Sequence, residues 1–157
     1  MPIEYVTGDL FVNRVQAQAF AHGCNCKGVM GSGIAVGFKK RYPAMFEEYR
    51  RMCKANPREF NPGDAFLWRT EDDVWVFNLA TQENYAFWNK ATIERVEKSL
   101  VAMHAQADEA NVTSIAMPRI GAGLGGLKWD DVRAAIERVF SDWPGTLYVY
   151  EKFVRGQ

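Results

Sequence analysis

The feature that most constrains this chain is a pattern that occurs twice: an apolar run, a loop carrying four glycines, then a helical stretch. In the first occurrence an apolar strand over residues 17–22 feeds residues 22–35, His-Gly-Cys-Asn-Cys-Lys-Gly-Val-Met-Gly-Ser-Gly-Ile-Ala, and a helix follows over residues 36–42. In the second, Ser114-Ile115-Ala116-Met117 and Pro118 lead into residues 119–127, after which Trp129, Val132, Ile136 and Val139 recur at helical spacing. Glycine lets backbone N–H groups approach a ligand closely, and a helix N-terminus adds partial positive charge, so an anionic group such as phosphate is a suitable guest. The spacing matches neither a Walker A loop nor a GxGxxG fingerprint. One glycine-rich turn alone is equally a tight strand-to-helix connection without a ligand. Two of them meeting beyond the carboxyl ends of strands point to a pyrophosphate or nucleotide.

The remaining segments supply the other strands and helices of an α/β sheet covered on both faces. Residues 3–6 alternate as a half-buried strand that stops at Thr7-Gly8-Asp9, where Asp9 is either a cap or a carboxylate at the rim of a site. Pro43 opens a helix in which Phe46, Tyr49 and Cys53 share a face, and Asn56-Pro57 stops it. Residues 65–70 and 74–79 read as two strands joined by Glu71-Asp72-Asp73, and residues 80–89 as a polar, aromatic loop. Residues 90–110, with Ile93, Val96, Leu100, Met103 and Ala107 in step, form the best helix, and His104 sits at the edge of its apolar stripe. Residues 147–153 close the chain as a strand. A chain of 157 residues, 48% of them hydrophobic, is expected to form one domain over residues 1–157.

Nineteen basic and nineteen acidic residues balance, so strong intrinsic nucleic-acid affinity is not expected. Lys39, Lys40 and Arg41, near Arg50 and Arg51, read as a solvated helix face. No apolar run approaches the ~20 residues of a membrane span, and the first residues lack the pattern of a signal peptide. Cys24, Cys26 and Cys53 make an odd count, which suits free thiols in a reducing compartment, so a cytoplasmic monomer is expected. His22, Cys24 and Cys26 alternate but are too few and too irregular for a tetrahedral zinc site, and neither metal nor cofactor is expected.

On these residues the chain resembles the macrodomains, a family that binds ADP-ribose and its derivatives. Thr7-Gly8-Asp9-Leu10 is similar to the family's opening turn, residues 22–35 to its first ligand loop, and Met117-Pro118-Arg119-Ile120-Gly121-Ala122-Gly123-Leu124 to its second. The second loop together with Met30-Gly31-Ser32-Gly33-Ile34-Ala35 resembles the branch that removes ADP-ribose from protein and from DNA. His22-Gly23-Cys24-Asn25-Cys26 is closer to the phosphatases acting on ADP-ribose-1''-phosphate. The resemblance implies a three-layer α/β/α sandwich with a mixed central sheet of about six strands.

Carried over residue by residue, Asp9 accepts a hydrogen bond from the adenine amino group, with Leu10 beside it and Tyr150 packing on the base. The backbone of Gly31, Ser32, Gly33, Ile34 and Ala35 lines the distal ribose and one phosphate. Arg119, Ile120, Gly121, Ala122, Gly123 and Leu124 line the other phosphate. His22 is implied as a catalytic acid or base and Asn25 as the residue orienting the distal ribose, so hydrolysis of an ADP-ribose derivative at that ribose, as in the phosphatases, is the leading expectation. Where the glycohydrolases carry a lysine and an aspartate, this chain has Gln82 and Gly125, and glutamine is no nucleophile. A non-catalytic reader of ADP-ribose, and a hydrolase of ADP-ribosylated protein or nucleic acid working without a lysine, are the alternatives.

Overall fold

The computed structural model describes residues 2–84, 91–122 and 125–157. In chain order it contains β1 (Ile3–Gly8), a short 3-10 turn (Leu10–Val12), β2 (Ala19–Cys24), α1 (Ile34–Arg41), α2 (Pro43–Lys54), β3 (Ala65–Trp68) and β4 (Trp75–Ala80). Then follow α3 (Ile93–Glu109), β5 (Ser114–Pro118), α4 (Trp129–Phe140) and β6 (Thr146–Phe153). Six strands form one sheet in the order β1-β6-β5-β2-β4-β3. Its neighbours are parallel except β3 and β4, an antiparallel hairpin at one edge.

Side-chain alternation along the strands divides the interior into two cores. On one face Ala19 and Ala21 of β2 pack with Phe77, Leu79 and Ile115 against Val96, Leu100 and Met103 of α3 and Val132 and Ile136 of α4. On the other, Phe20 and Cys24 of the same strand pack with Val76 and Tyr150 against Phe38 of α1 and Met45 and Tyr49 of α2. The result is the expected three-layer sandwich on a mixed sheet. Burying each of these large side chains is worth about 1.5–3 kcal/mol, which is what holds the helices onto the sheet. His104 is half-buried at the α3 boundary, its Nδ1 3.2 Å from Asp108 Oδ2.

One difference from the expected boundaries bears on the site. Strand β2 begins and ends two residues later than its apolar run suggests, because its parallel pairing with β4 continues through His22, Gly23 and Cys24, opposite Asn78, Leu79 and Ala80. The first loop therefore starts at Asn25, and His22 belongs to the sheet. Helix α1 starts at Ile34, since Gly33 before it adopts φ 64°, ψ −151°, outside the helical region. Among the described residues no helix is long and apolar enough to cross a membrane.

Candidate functional site

Strands β2 and β5 lie side by side and parallel, so the loops that leave their carboxyl ends face each other. Between them opens a cleft of about 510 Å³. One wall is Val29, Met30, Gly31, Ser32 and Gly33 with the first residues of α1, Ile34 and Ala35. The other is Pro118, Arg119, Ile120, Gly121, Ala122 and Gly125, and the floor is Gly23, Cys24, Asn25, Thr81 and Gln82. Among these described residues Arg119 alone carries a charge, and its guanidinium lies 5.3 Å over the Trp129 ring. An anion in the cleft is therefore met chiefly by backbone. The first turn of α1 leaves N–H groups without intrahelical acceptors, and Gly33 provides no side chain to cap them. Gly121 sits at φ 71°, and a Cβ there would come within 3.1 Å of both Leu127 and Val96.

A second cavity of about 340 Å³ continues from the first, sharing Ile34 and Pro118 with it. It is lined by Gly8, Asp9, Leu10 and Phe11 from the end of β1 and by Tyr150 and Phe153 from β6. A largely apolar cavity with one carboxylate in its lining suits a heteroaromatic ring bearing an amino group. Asp9 is both cap and rim carboxylate: its Oδ1 accepts from Phe11 N at 3.0 Å, and its Oδ2 accepts from Gly156 N at 3.2 Å.

The first loop is tied from within. Asn25 Oδ1 accepts from Lys27 N at 2.9 Å, and Asn25 Nδ2 donates to Val29 O at 2.8 Å. The buried Tyr49 hydroxyl, donated from α2, meets Asn25 O at 2.8 Å and Asn25 Oδ1 at 2.9 Å. Asn25 thus lines the cleft, with its amide turned into its own loop. Across the floor, Cys26 N donates to Glu83 O at 3.1 Å, and Thr81 N to Cys24 O at 3.2 Å. Both guanidinium NH groups of Arg58 bind the Glu83 carboxylate, at 2.5 and 3.0 Å, and hold its carboxyl below the usual range; Lys27 stands 3.7 Å away. These bonds clamp the loop to the strand end.

His22 has no accessible surface, does not line the cleft, and stacks on Phe38 at 3.9 Å between ring centroids. Its Nε2–H donates to Asn78 Oδ1 at 2.7 Å; Asn78 is oriented by its Nδ2 donating to Phe66 O at 3.2 Å, which fixes the imidazole tautomer. Burial pushes the His22 pKa down to about 4, against the opposing effect of the Asn78 hydrogen bond. It is a neutral ring inside the fold, and direct proton exchange with a substrate does not follow from this placement, because His22 lies within β2 with its ring packed between the sheet and α1. Cys24 does reach the cleft floor, but burial raises its thiol well above the ordinary range, so it stays protonated at neutral pH. Among the described residues no group of three His, Cys, Asp or Glu side chains is arranged to hold a metal ion.

The two positions at which this chain departs from the glycohydrolase pattern face each other. A Cβ on Gly125 would stand 3.6 Å from Gln82 Oε1, while Gln82 Nε2 donates to Asn84 O at 2.8 Å. Asp9, Leu10, Ile34 and Tyr150 gather at the apolar cavity, and Asn25, Gly31, Ser32, Gly33, Ala35, Arg119, Ile120, Gly121 and Ala122 at the cleft. Gly123 and Leu124, and the aromatic segment at residues 85–90, lie outside the described residues. Sequence reasoning missed Phe11, Phe153 and Thr81 as lining residues. Thr81 carried a signal in its place just beyond the carboxyl end of a parallel strand; Phe11 and Phe153 needed the closure of β1 on β6.

Residues 21–136 match the family model for the Macro domain. The chain is a macrodomain. It is 34% identical over 149 residues to human ADP-ribose glycohydrolase OARD1, covering 94% of the chain and 90% of that protein. It is also 34% identical over 145 residues to the DNA ADP-ribosyl glycohydrolase of Mycobacterium tuberculosis, but spans only 40% of that relative's length. The ADP-ribose 1''-phosphate phosphatase of Candida albicans is 27% identical over 146 residues, 86% of the chain and 92% of the relative. Among solved structures the macrodomain of Mycobacterium tuberculosis DarG superposes with a TM-score of 0.83 at 31% identity, over 96% of each chain. This macrodomain therefore has relatives named for three different ADP-ribose hydrolyses.

Proposed function

We propose that this macrodomain binds ADP-ribose along its two contiguous cavities and hydrolyses an ADP-ribose derivative at the distal ribose. The observation that carries the reading is the continuity itself: an apolar slot with a carboxylate at its rim opens, past Ile34 and Pro118, into a cleft walled by glycines and a helix N-terminus. Adenine takes the slot against Tyr150 and Phe153, its amino group directed to Asp9. The pyrophosphate takes the backbone N–H groups at Gly33–Ile34 and at the loop after Pro118. The distal ribose then lies over Asn25, Gln82 and Gly125. Relatives named as hydrolases of ADP-ribose derivatives support catalysis rather than reading alone.

With Gln82 in place of a lysine and His22 buried between the sheet and α1, the reaction we propose is attack by water on the bond at the distal ribose. The chain binds and orients that ribose, and the loop amides hold the pyrophosphate, whose charge does not change in this step. His22 and Asn25 serve as positioning residues, His22 by joining β2, β4 and α1, Asn25 by shaping the loop. We place this activity in a cytoplasmic monomer, in keeping with three free, buried thiols. The test is incubation with ADP-ribosylated protein, ADP-ribosylated DNA and ADP-ribose-1''-phosphate, with detection of free ADP-ribose. Release from one of the three identifies the linkage. Binding of ADP-ribose with no release from any of them makes the protein a reader, and absence of binding overturns the whole assignment.

A further inference from the structure

Two side-chain amides line the floor of the cleft, and they are set differently. Asn25 turns both ends of its amide into its own loop, Oδ1 accepting from Lys27 N at 2.9 Å and Nδ2 donating to Val29 O at 2.8 Å. Gln82 engages one end only. Its Nε2 donates to Asn84 O at 2.8 Å, and because a carbonyl can only accept, that bond decides which end of the amide is nitrogen and leaves Oε1 as an acceptor. Among the described residues no group donates to Oε1, which faces Gly125 across the cleft. A Cβ on Gly125 would stand 3.6 Å from Oε1 and 3.3 Å from Ala91 Cβ, so glycine keeps a gap there that any side chain would narrow. Neither a carboxylate nor an imidazole is among the described residues lining the cleft, and the Cys24 thiol stays protonated.

We propose that Gln82 is a catalytic residue of the hydrolysis, its Oε1 holding the attacking water in the gap beside Gly125. The inference rests on the hydrolytic reading above. A water that donates to Oε1 lies about 2.8 Å from it, and on the Gly125 side it takes the room that a Cβ would fill. With one hydrogen fixed on Oε1, a lone pair of the water is directed away from the amide, toward C1'' of a ribose lying over the floor. The water oxygen bonds to C1'' as the bond from C1'' to the leaving atom breaks, and that atom keeps the electron pair. An amide is no base at neutral pH, so Gln82 orients the water without taking its proton, which passes through solvent to the leaving atom. The products are ADP-ribose and the released group. Gln82 and Gly125 thus act together, one as the acceptor and the other as the room for what it holds.

The test uses whichever of ADP-ribosylated protein, ADP-ribosylated DNA and ADP-ribose-1''-phosphate the parent cleaves, with ADP-ribose affinity measured by calorimetry. Gln82→Met keeps the length of the side chain without the amide acceptor. Its kcat is expected to fall about a hundredfold while ADP-ribose binds within about twofold of the parent, which also shows that the variant is folded. Gly125→Ala is expected to lower kcat by itself and to add little to Gln82→Met, because both changes act on one water. Gln82→Glu retains an acceptor and is expected to return turnover to within about tenfold of the parent, with a new limb that rises as the carboxylate ionises near pH ~4.3. In water–methanol mixtures Gln82→Met is expected to form more methyl glycoside relative to ADP-ribose than the parent does, since its nucleophile is no longer selected. Unchanged kcat in Gln82→Met, or losses that add in the double variant, overturns the inference while leaving hydrolysis standing. A fall in kcat matched by an equal fall in ADP-ribose affinity also overturns it, making Gln82 a binding residue. No release by the parent from any of the three substrates overturns the hydrolytic reading beneath it.

Discussion

His22 Nε2 stands 2.7 Å from Asn78 Oδ1, and this bond stitches β2 to β4 immediately behind the floor of the cleft. Burial lowers the imidazole pKa to about 4, below its ordinary value of 6.5, so the unfolded chain binds a proton that the folded chain refuses between those limits. Stability is then complete above about pH 6.5 and is lost as pH falls toward 4, by about 3 kcal/mol if the whole gap is realised. Denaturant titrations across that window are expected to show a flatter curve for His22→Gln, which keeps a donor for Asn78. Hydrolysis by the same variant should keep the parent's pH profile. A profile that loses a limb in His22→Gln would put the ring into the chemistry.

The Tyr49 hydroxyl is buried against Asn25, and Asn25 shapes the first loop. Tyr49→Phe is expected to lower stability by about 1 kcal/mol. It should also weaken ADP-ribose binding roughly threefold to tenfold, since the loop loses its tie to α2. Thermal unfolding and calorimetry read the two effects separately. A stability loss with unchanged affinity would show the loop to be held by Asn25 alone.

Gly33 and Gly31 make an internal comparison. Gly33 has φ 64°, a region in which a Cβ is strained, whereas a Cβ on Gly31 meets only Val29 Cγ1 at an ordinary 3.5 Å. Gly33→Ala is expected to cost about 1–3 kcal/mol in strain and to reduce affinity at least tenfold by displacing the start of α1. Gly31→Ala should bind nearly as the parent does. Equal losses in the two would mean that bulk in the cleft matters, rather than the turn.

Asp9 is expected to contribute about 1–3 kcal/mol to ADP-ribose binding through the adenine amino group. The parent should prefer ADP-ribose to its inosine analogue, which lacks that amino group, and Asp9→Ala should bind the two alike and more weakly. Unchanged affinity in Asp9→Ala would reduce the residue to the cap of the turn it already closes.

Water-driven hydrolysis leaves no adduct on the protein. Reaction mixtures quenched with borohydride are expected to yield the chain at its unmodified mass, and Gln82→Ala should retain that outcome while lowering turnover. A trapped adduct would mean that some lysine acts in place of Gln82.

Most of the fold was legible in the pattern of residues because its devices are local. The stripe from Val96 to Ala107 and the proline that opens α2 each announce themselves within one turn or strand. Both glycine-rich loops that wall the cleft were legible for the same reason. His22 was not. Its role depends on where β2 stops, and that is decided by hydrogen bonds to β4, a strand more than fifty residues away, which no periodicity in β2 reports. The facing of Gln82 and Gly125, and the gathering of Phe11 and Phe153 around one slot, are likewise products of strand order rather than of any stretch of chain.

That strand order amounts to a ruler. From β1 through β6, β5 and β2 to β4, parallel strands about 4.8 Å apart end along one edge, and on the proposed pose each end reads a different portion of a single extended molecule. Base, phosphates and terminal sugar are thus assigned to separate connections of the backbone. Recognition of the base and choice of the bond to be cut can then drift independently through evolution, since a change in the turn after β1 leaves the segment after β4 untouched.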